Sequence, residues 1–153
     1  MRWVVTILLE YEWRVGTRQS NGEYTKGRRG REEQMTISNQ TIGRCIEECL
    51  QCLRWCSQCR AESLNEDPIM MRDSIRLCNE CLELCRTCVA LLTGSSGFAH
   101  RVCGICSDLC TACASECGKY DGDTMKRCAQ ACRQCAATCA EVAQAGPIRR
   151  AAA

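Results

Sequence analysis

Histidine is nearly absent from this 153-residue chain; His100 is the only one. With no second imidazole, Cys₂His₂ zinc sites and His-based catalytic dyads drop out. Large apolar residues are also scarce. There is one Phe, and removing the 18 Cys from the 46% hydrophobic share leaves about 34%, a thin conventional core. No apolar run approaches the roughly 18–20 residues that a membrane span needs. Neither charge sign predominates: 20 basic and 18 acidic residues give +2. That excludes the strong single-sign field expected of a nucleic-acid or anionic-membrane binder.

Targeting features are missing too. Trp3 to Leu9 is apolar, but Glu10 and Glu12 follow at once and no small-residue cleavage site appears. Arg28-Arg29 is followed by Gly30-Arg31-Glu32-Glu33-Gln34 rather than an apolar stretch, unlike a twin-arginine signal. The chain therefore reads as cytoplasmic. In that reducing compartment many cysteines favour metal over disulfides.

What is abundant is cysteine, 18 of 153 residues or about 12%, above the ~8–10% that marks a disulfide scaffold or metal site. None falls in residues 1–34, which read as an N-terminal extension, poorly ordered or loosely packed. Thr6 to Val15 is β-favouring, and Tyr24 to Arg31 is a basic Gly-rich loop. Met35 opens a self-sufficient unit, so the extension is also what an upstream start codon would add. Residues 35–146 read as a Cys-rich all-α domain, an antiparallel up-down-up-down four-helix bundle with a Cys-lined core. Residues 147–153 read as a frayed tail.

Four helices are expected. The first runs from about Ser38, a possible N-cap, to Ala61. The second opens on Asp67-Pro68, an N-cap followed by Pro at the first helical position, and runs to about Leu92. The third is capped by Ser96 or Gly97 and stops at Gly118, a good residue just past a helix C-terminus. The fourth starts at Asp121 or Asp123 and ends at Gly146-Pro147. Short linkers make sequential helices antiparallel neighbours.

Every cysteine obeys an alternating step of three and four. Helix one carries Cys45, Cys49, Cys52, Cys56 and Cys59; helix two carries Cys78, Cys81, Cys85 and Cys88. Helix three carries Cys103, Cys106, Cys110, Cys113 and Cys117; helix four carries Cys128, Cys132, Cys135 and Cys139. This is the inward seam of a heptad, with thiols where Leu and Ile normally sit. Four such seams facing one axis make a tube lined with sulfur. Cysteine as a small hydrophobe does not explain it, since a core of small thiols leaves cavities. Disulfides within one helix are hampered by fixed Cβ directions and close loops too short to stabilise much.

All-thiolate sites select Cu(I), Zn(II) or iron–sulfur clusters. The C-x₂-C-x₂-C run of ferredoxin-type clusters is absent. Zn(II) with four terminal thiolates carries −2, costly in a narrow core. Cu(I) accepts two or three thiolates, and one ion per thiolate is neutral. Charge thus favours many Cu(I) ions, about 18 per chain at capacity. Zinc or general thiol-metal buffering, and a disulfide or redox helical protein, stay open as alternatives.

The C-x₃-C and C-x₂-C pattern over roughly Ile42 to Ala140 resembles the four-helix-bundle copper storage proteins, particularly their cytosolic bacterial branch. The most specific stretch is Cys103-Gly-Ile-Cys106-Ser-Asp-Leu-Cys110-Thr-Ala-Cys113-Ala-Ser-Glu-Cys117-Gly-Lys119. The resemblance implies storage of many Cu(I) ions per bundle, a homotetramer, and binding rather than catalysis. It also leaves room for a copper chaperone as partner. Members often carry His in the turn after the third helix; here Tyr120 and Arg127 stand in that region.

Extending each seam by its own steps gives the tube ends. At one end the next residues are Ile42, Leu92, Ala99 and Val142, an apolar plug. At the other they are Ser63, Ser74, Met71, Tyr120 and Met125. Thioethers are Cu(I) ligands, so copper is expected to load at this second end, with Met71 and Met125 as handover ligands ahead of Met70. His100 lies one position off the seam and reads as a surface residue. Trp55, Ile46, Leu50, Leu53, Leu82, Leu84, Val89, Ile105 and Leu109 flank the seams, sealing the sides or meeting other subunits.

Overall fold

The computed structural model describes residues 37–67 and 69–148. The expectations for residues 1–34, Met35, Pro68 and the end of the tail lie outside them. Four helices make up the described chain: α1 Asn39–Ser63, α2 Arg72–Thr93, α3 Ala99–Cys117 and α4 Asp123–Ala145. Each packs on two others, α1 and α3 both against α2 and α4.

The sulfur pairs give the helix directions. Along α1, Cys45, Cys49, Cys52 and Cys56 meet Cys139, Cys135, Cys132 and Cys128 in turn, so numbering on α4 falls as it rises on α1. On α2 and α3, Cys78 meets Cys113 and Cys85 meets Cys106, again antiparallel. Across the bundle the order is parallel: Cys52 with Cys110 and Cys59 with Cys117, Cys78 with Cys128 and Cys85 with Cys135. Only an up-down-up-down bundle satisfies both sets, as the short linkers require.

The helix boundaries partly follow the sequence signals. Ser38 caps α1, its hydroxyl accepting from the Thr41 amide at 3.1 Å. α4 stops at Gly146, which turns the chain with φ of +80°. The start of α2 differs from expectation. Asp67 does not cap the helix; its carboxylate accepts from the Ile69 amide at 2.9 Å and its carbonyl from the Met71 amide at 3.0 Å. Asp67 thus holds a separate turn, and α2 begins at Arg72.

α3 also starts later than expected, with Phe98 rather than Ser96 or Gly97 in the cap position. The Ser96 amide is taken up in ending α2. The Ser96 amide donates back to the Leu91 carbonyl and the Ser95 amide to Leu92, the paired bonds of a Schellman motif. Ser95 fills its left-handed position at φ +50°. Gly118, expected to play that role after α3, has right-handed φ of −67°.

The core is sulfur. All 18 cysteines are wholly buried, and the largest wholly buried side chains beside them are Leu92 and Val142. Leu92, Ala99 and Val142 close one end as expected, with Ile42 half-buried at its rim. Leu82 is buried, whereas Ile46, Leu53, Trp55, Leu84, Val89 and Leu109 are half-buried against the core. Leu50 and Ile105 face outward.

Charges stay outside. Arg44 pairs with Glu141, tying α1 to α4 near the plugged end. Other pairs, such as Arg76–Glu80 and Arg86–Glu83, lie within one helix at the surface, where solvent screens them and they add little to stability. No described helix is long and apolar enough to cross a membrane.

Candidate metal centre

The helical period places each thiol about 5 Å along the axis from the next on its own helix, and the antiparallel neighbours interleave. The result is a continuous sulfur lattice. Cys45 and Cys139 lie 3.6 Å apart, Cys49 and Cys135 3.7 Å, Cys52 and Cys132 3.7 Å, and Cys56 and Cys132 3.6 Å. Spacings of 3.8–4.0 Å also run along single helices, as between Cys106 and Cys110 or Cys113 and Cys117. All 18 thiols are free. A metal–sulfur bond of about 2.3 Å sets sulfurs about 3.8 Å apart in a tetrahedron and about 4.0 Å in a trigonal plane. The lattice has the spacing of a metal-thiolate cluster before any ligand moves far.

Quartets of mutually close thiols run the length of the tube. They are Cys49-Cys106-Cys135-Cys139, Cys52-Cys85-Cys110-Cys135, Cys52-Cys56-Cys81-Cys132, Cys56-Cys113-Cys128-Cys132 and Cys59-Cys78-Cys117-Cys128, each within 4.8 Å. Each shares at least one sulfur with the next: Cys135, Cys52, Cys56 with Cys132, then Cys128. A thiolate that belongs to two quartets can bridge two ions. Seam periodicity alone gives no register between helices, so these cross-helix groupings were not readable from the sequence.

Hydrogen bonding among the thiols pulls their acidities apart. Donation from Cys110 favours the thiolate of Cys52 and also that of Cys106, and Cys117 does the same for Cys113. Their partners are pushed the other way. Cys85 is raised chiefly by Cys106, Cys132 by Cys110 and Cys139 by Cys103, with burial adding to each. In so apolar an interior an isolated thiolate is costly, and a soft monovalent cation removes that cost.

At the end opposite the plug the seam changes chemistry. Met125 and Met71 are both buried, at 5% and 3% exposure. The Cys59 thiol donates to the Met125 thioether at 3.2 Å. Met70 points outward at 73% exposure. Ser63 and Ser74 are wholly buried, and neither hydroxyl has a hydrogen-bond partner. Tyr120 is half-buried, its hydroxyl 3.2 Å from Glu116 Oε1 and 3.3 Å from the Met70 carbonyl oxygen, which fastens the turn before α2 against α3.

The remaining candidates stand apart from the sulfur. His100 places its Nδ1 2.8 Å from the Gly97 carbonyl oxygen, within its own helix start. Arg127 stacks over Trp55 at 5.2 Å, with Arg54 also 5.3 Å from that ring. That arrangement braces α4 on α1 from outside.

A comparison with curated proteins gives no match. Among solved structures the chain is similar to Cu(I)-bound copper storage protein BsCsp3, with 36% identity over 67% of this chain and 98% of that one, and a TM-score of 0.64. It is 37% identical to apo copper storage protein 3 from Bacillus subtilis over 66% of this chain and 97% of that one, TM-score 0.62. A cytosolic copper storage protein from Streptomyces lividans carrying five coppers matches at 30% identity, over 69% and 93% of the two chains, TM-score 0.65. The sequence profile of the copper storage proteins matches residues 38–144. By its sulfur-lined four-helix bundle and by these matches, the chain belongs to the copper storage protein family.

Proposed function

We propose that this protein stores and detoxifies copper by holding many Cu(I) ions on the 18 thiolates inside its bundle, as binding rather than catalysis. The observation that carries the reading is the continuous lattice of wholly buried, free thiols with shared vertices. Shared thiolates let the ratio of copper to sulfur approach one, where the charges cancel. The relatives fit the same role: one is Cu(I)-bound and another carries five coppers.

Copper loads at the methionine end. Met71 and Met125 take Cu(I) first, through neutral thioethers that bind it weakly enough to pass it on. Cys59 is the nearest acceptor, its thiol already against Met125. The plugged end offers only aliphatic side chains. The protein works in the cytoplasm, the compartment of the cytosolic Streptomyces relative. It assembles as a homotetramer, with exposed Leu50 and Ile105 available to meet other copies, and takes copper from a chaperone.

Anaerobic titration of the fully reduced protein with Cu(I), followed by native mass spectrometry, tests the storage role. The expected end point is well above ten ions per chain, near the ~18 that neutrality allows. Saturation at a few ions, or Zn(II) outcompeting Cu(I) across the tube, would refute storage and favour a zinc buffer.

A further inference from the structure

Two of the quartets named above draw one thiol from each helix. Cys52, Cys85, Cys110 and Cys135 lie at mid-tube, and Cys59, Cys78, Cys117 and Cys128 lie beneath the methionine end. Both have sulfur spacings suited to a tetrahedral ion. In the end quartet Cys59–Cys117 is 3.7 Å, Cys117–Cys128 3.8 Å and Cys78–Cys128 4.0 Å. In the middle one Cys52–Cys110 and Cys85–Cys135 are each 3.9 Å. Geometry therefore does not separate them; their surroundings do.

Buried hydroxyls without partners lie beside the end quartet, whereas the buried hydroxyl beside the middle one, Thr138, is taken up by the Gln134 and Cys135 carbonyl oxygens. Ser63 sits one turn beyond Cys59 on the α1 seam, and Ser74 one turn before Cys78 on the α2 seam. Both are wholly buried with unpartnered hydroxyls. The Tyr120 oxygen is an acceptor within reach of Ser74, its own hydrogen going to Glu116 or the Met70 carbonyl, so Ser63 is the hydroxyl with no alternative partner. A buried hydroxyl without a partner is costly, and two of them at one end of the tube require a reason. Hydroxyl donors one turn from a thiolate supply what an anionic metal site lacks. Outer hydrogen bonds of this kind typically carry 10–100-fold in metal affinity.

We propose that Cys59, Cys78, Cys117 and Cys128 form a Zn(II) site whose excess negative charge is held by the Ser63 and Ser74 hydroxyls. Zn(II) binds four thiols, four protons leave, and the resulting tetrathiolate carries −2. Each serine keeps its proton and donates it, after rotation about χ1, to a coordinated sulfur. The site pins all four helices when copper is scarce, and incoming Cu(I) displaces the zinc. The inference shares its thiols with the storage reading but does not need that reading to hold.

Co(II), which reports tetrahedral thiolate coordination through its visible absorption, and Zn(II) in competition with a chromophoric chelator test the proposal on the reduced full chain. One equivalent of Co(II) should give the tetrathiolate spectrum and be displaced by one equivalent of Zn(II). Cys78→Ser should abolish that spectrum and Cys85→Ser leave it. Ser63→Ala with Ser74→Ala, which keeps every thiol, should weaken Zn(II) binding by about 10–100-fold with Cu(I) capacity unchanged. Absence of a tetrathiolate spectrum, its loss in Cys85→Ser instead of Cys78→Ser, or unaltered Zn(II) affinity in the double serine variant would overturn it. A Cu(I) titration of the same samples judges storage separately: a chain that fills with copper but fails these tests loses only the zinc site.

Discussion

The Cys59 thiol points its hydrogen at the sulfur of Met125, 3.2 Å away. This is the one place among the described residues where the thiol lattice touches a thioether. An ion on Met125 is therefore one short step from the first cysteine. Met125→Leu combined with Met71→Leu keeps volume, so stability should change by less than about 1.5 kcal/mol per site. Copper loading, followed by stopped-flow transfer from a Cu(I)–chelator complex, should slow several-fold while final capacity stays the same. An unchanged loading rate would remove the methionines from the pathway.

Loading should release protons. Cys85, Cys132 and Cys139 are raised above the ordinary thiol range, chiefly by the hydrogen bonds they donate to Cys106, Cys110 and Cys103 respectively. They are protonated at neutral pH and must lose their protons to bind Cu(I). Because metal and proton compete for the same sulfur, apparent copper affinity should rise as pH rises and fall as it drops. A pH-stat titration at pH 7 should record proton release throughout filling. Loading without protons would mean that the thiols are already ionised.

The plug holds the largest wholly buried aliphatic side chains among the described residues. Leu92 is 1% exposed and Val142 and Ala99 wholly buried. Leu92→Ala should cost about 2–5 kcal/mol, read as a lower urea midpoint in the reduced protein. A loss below about 1 kcal/mol would show that the end collapses to fill the gap.

Ser95 occupies a left-handed turn position that glycine fills more easily. A side chain there costs roughly 1–2 kcal/mol. Ser95→Gly should raise stability by about 1 kcal/mol after the added chain entropy of glycine, measured by thermal or urea unfolding. A decrease would mean that Ser95 contributes more than its backbone angle.

The seam was legible because cysteine is so distinct that its three-and-four stepping needs no averaging: each of the 18 positions expected to face inward is wholly buried. The same stepping carried one turn further located the plug at Leu92, Ala99 and Val142 and the buried pair Met71 and Met125. Termini were harder, since the polar residues that cap helices also cap turns. Asp67 spends its carboxylate on Ile69, and Ser96 lends its amide to closing α2, so the helices after them start late. Arg127, in the region where family members often carry His, stacks on Trp55. Which thiols form quartets depends on the vertical offset between helices, set by packing that no single helix encodes.

Combined with the proposed entry past Met71 and Met125, the aliphatic stopper formed by Leu92, Ala99 and Val142 would set the order of traffic. A vessel filled through one mouth behaves as a stack: the ion that arrives last leaves first. Under the loading route proposed above, copper nearest the methionines should turn over quickly, and copper lodged against Leu92 and Val142 should be a long-term deposit, exchanged only after everything above it has gone.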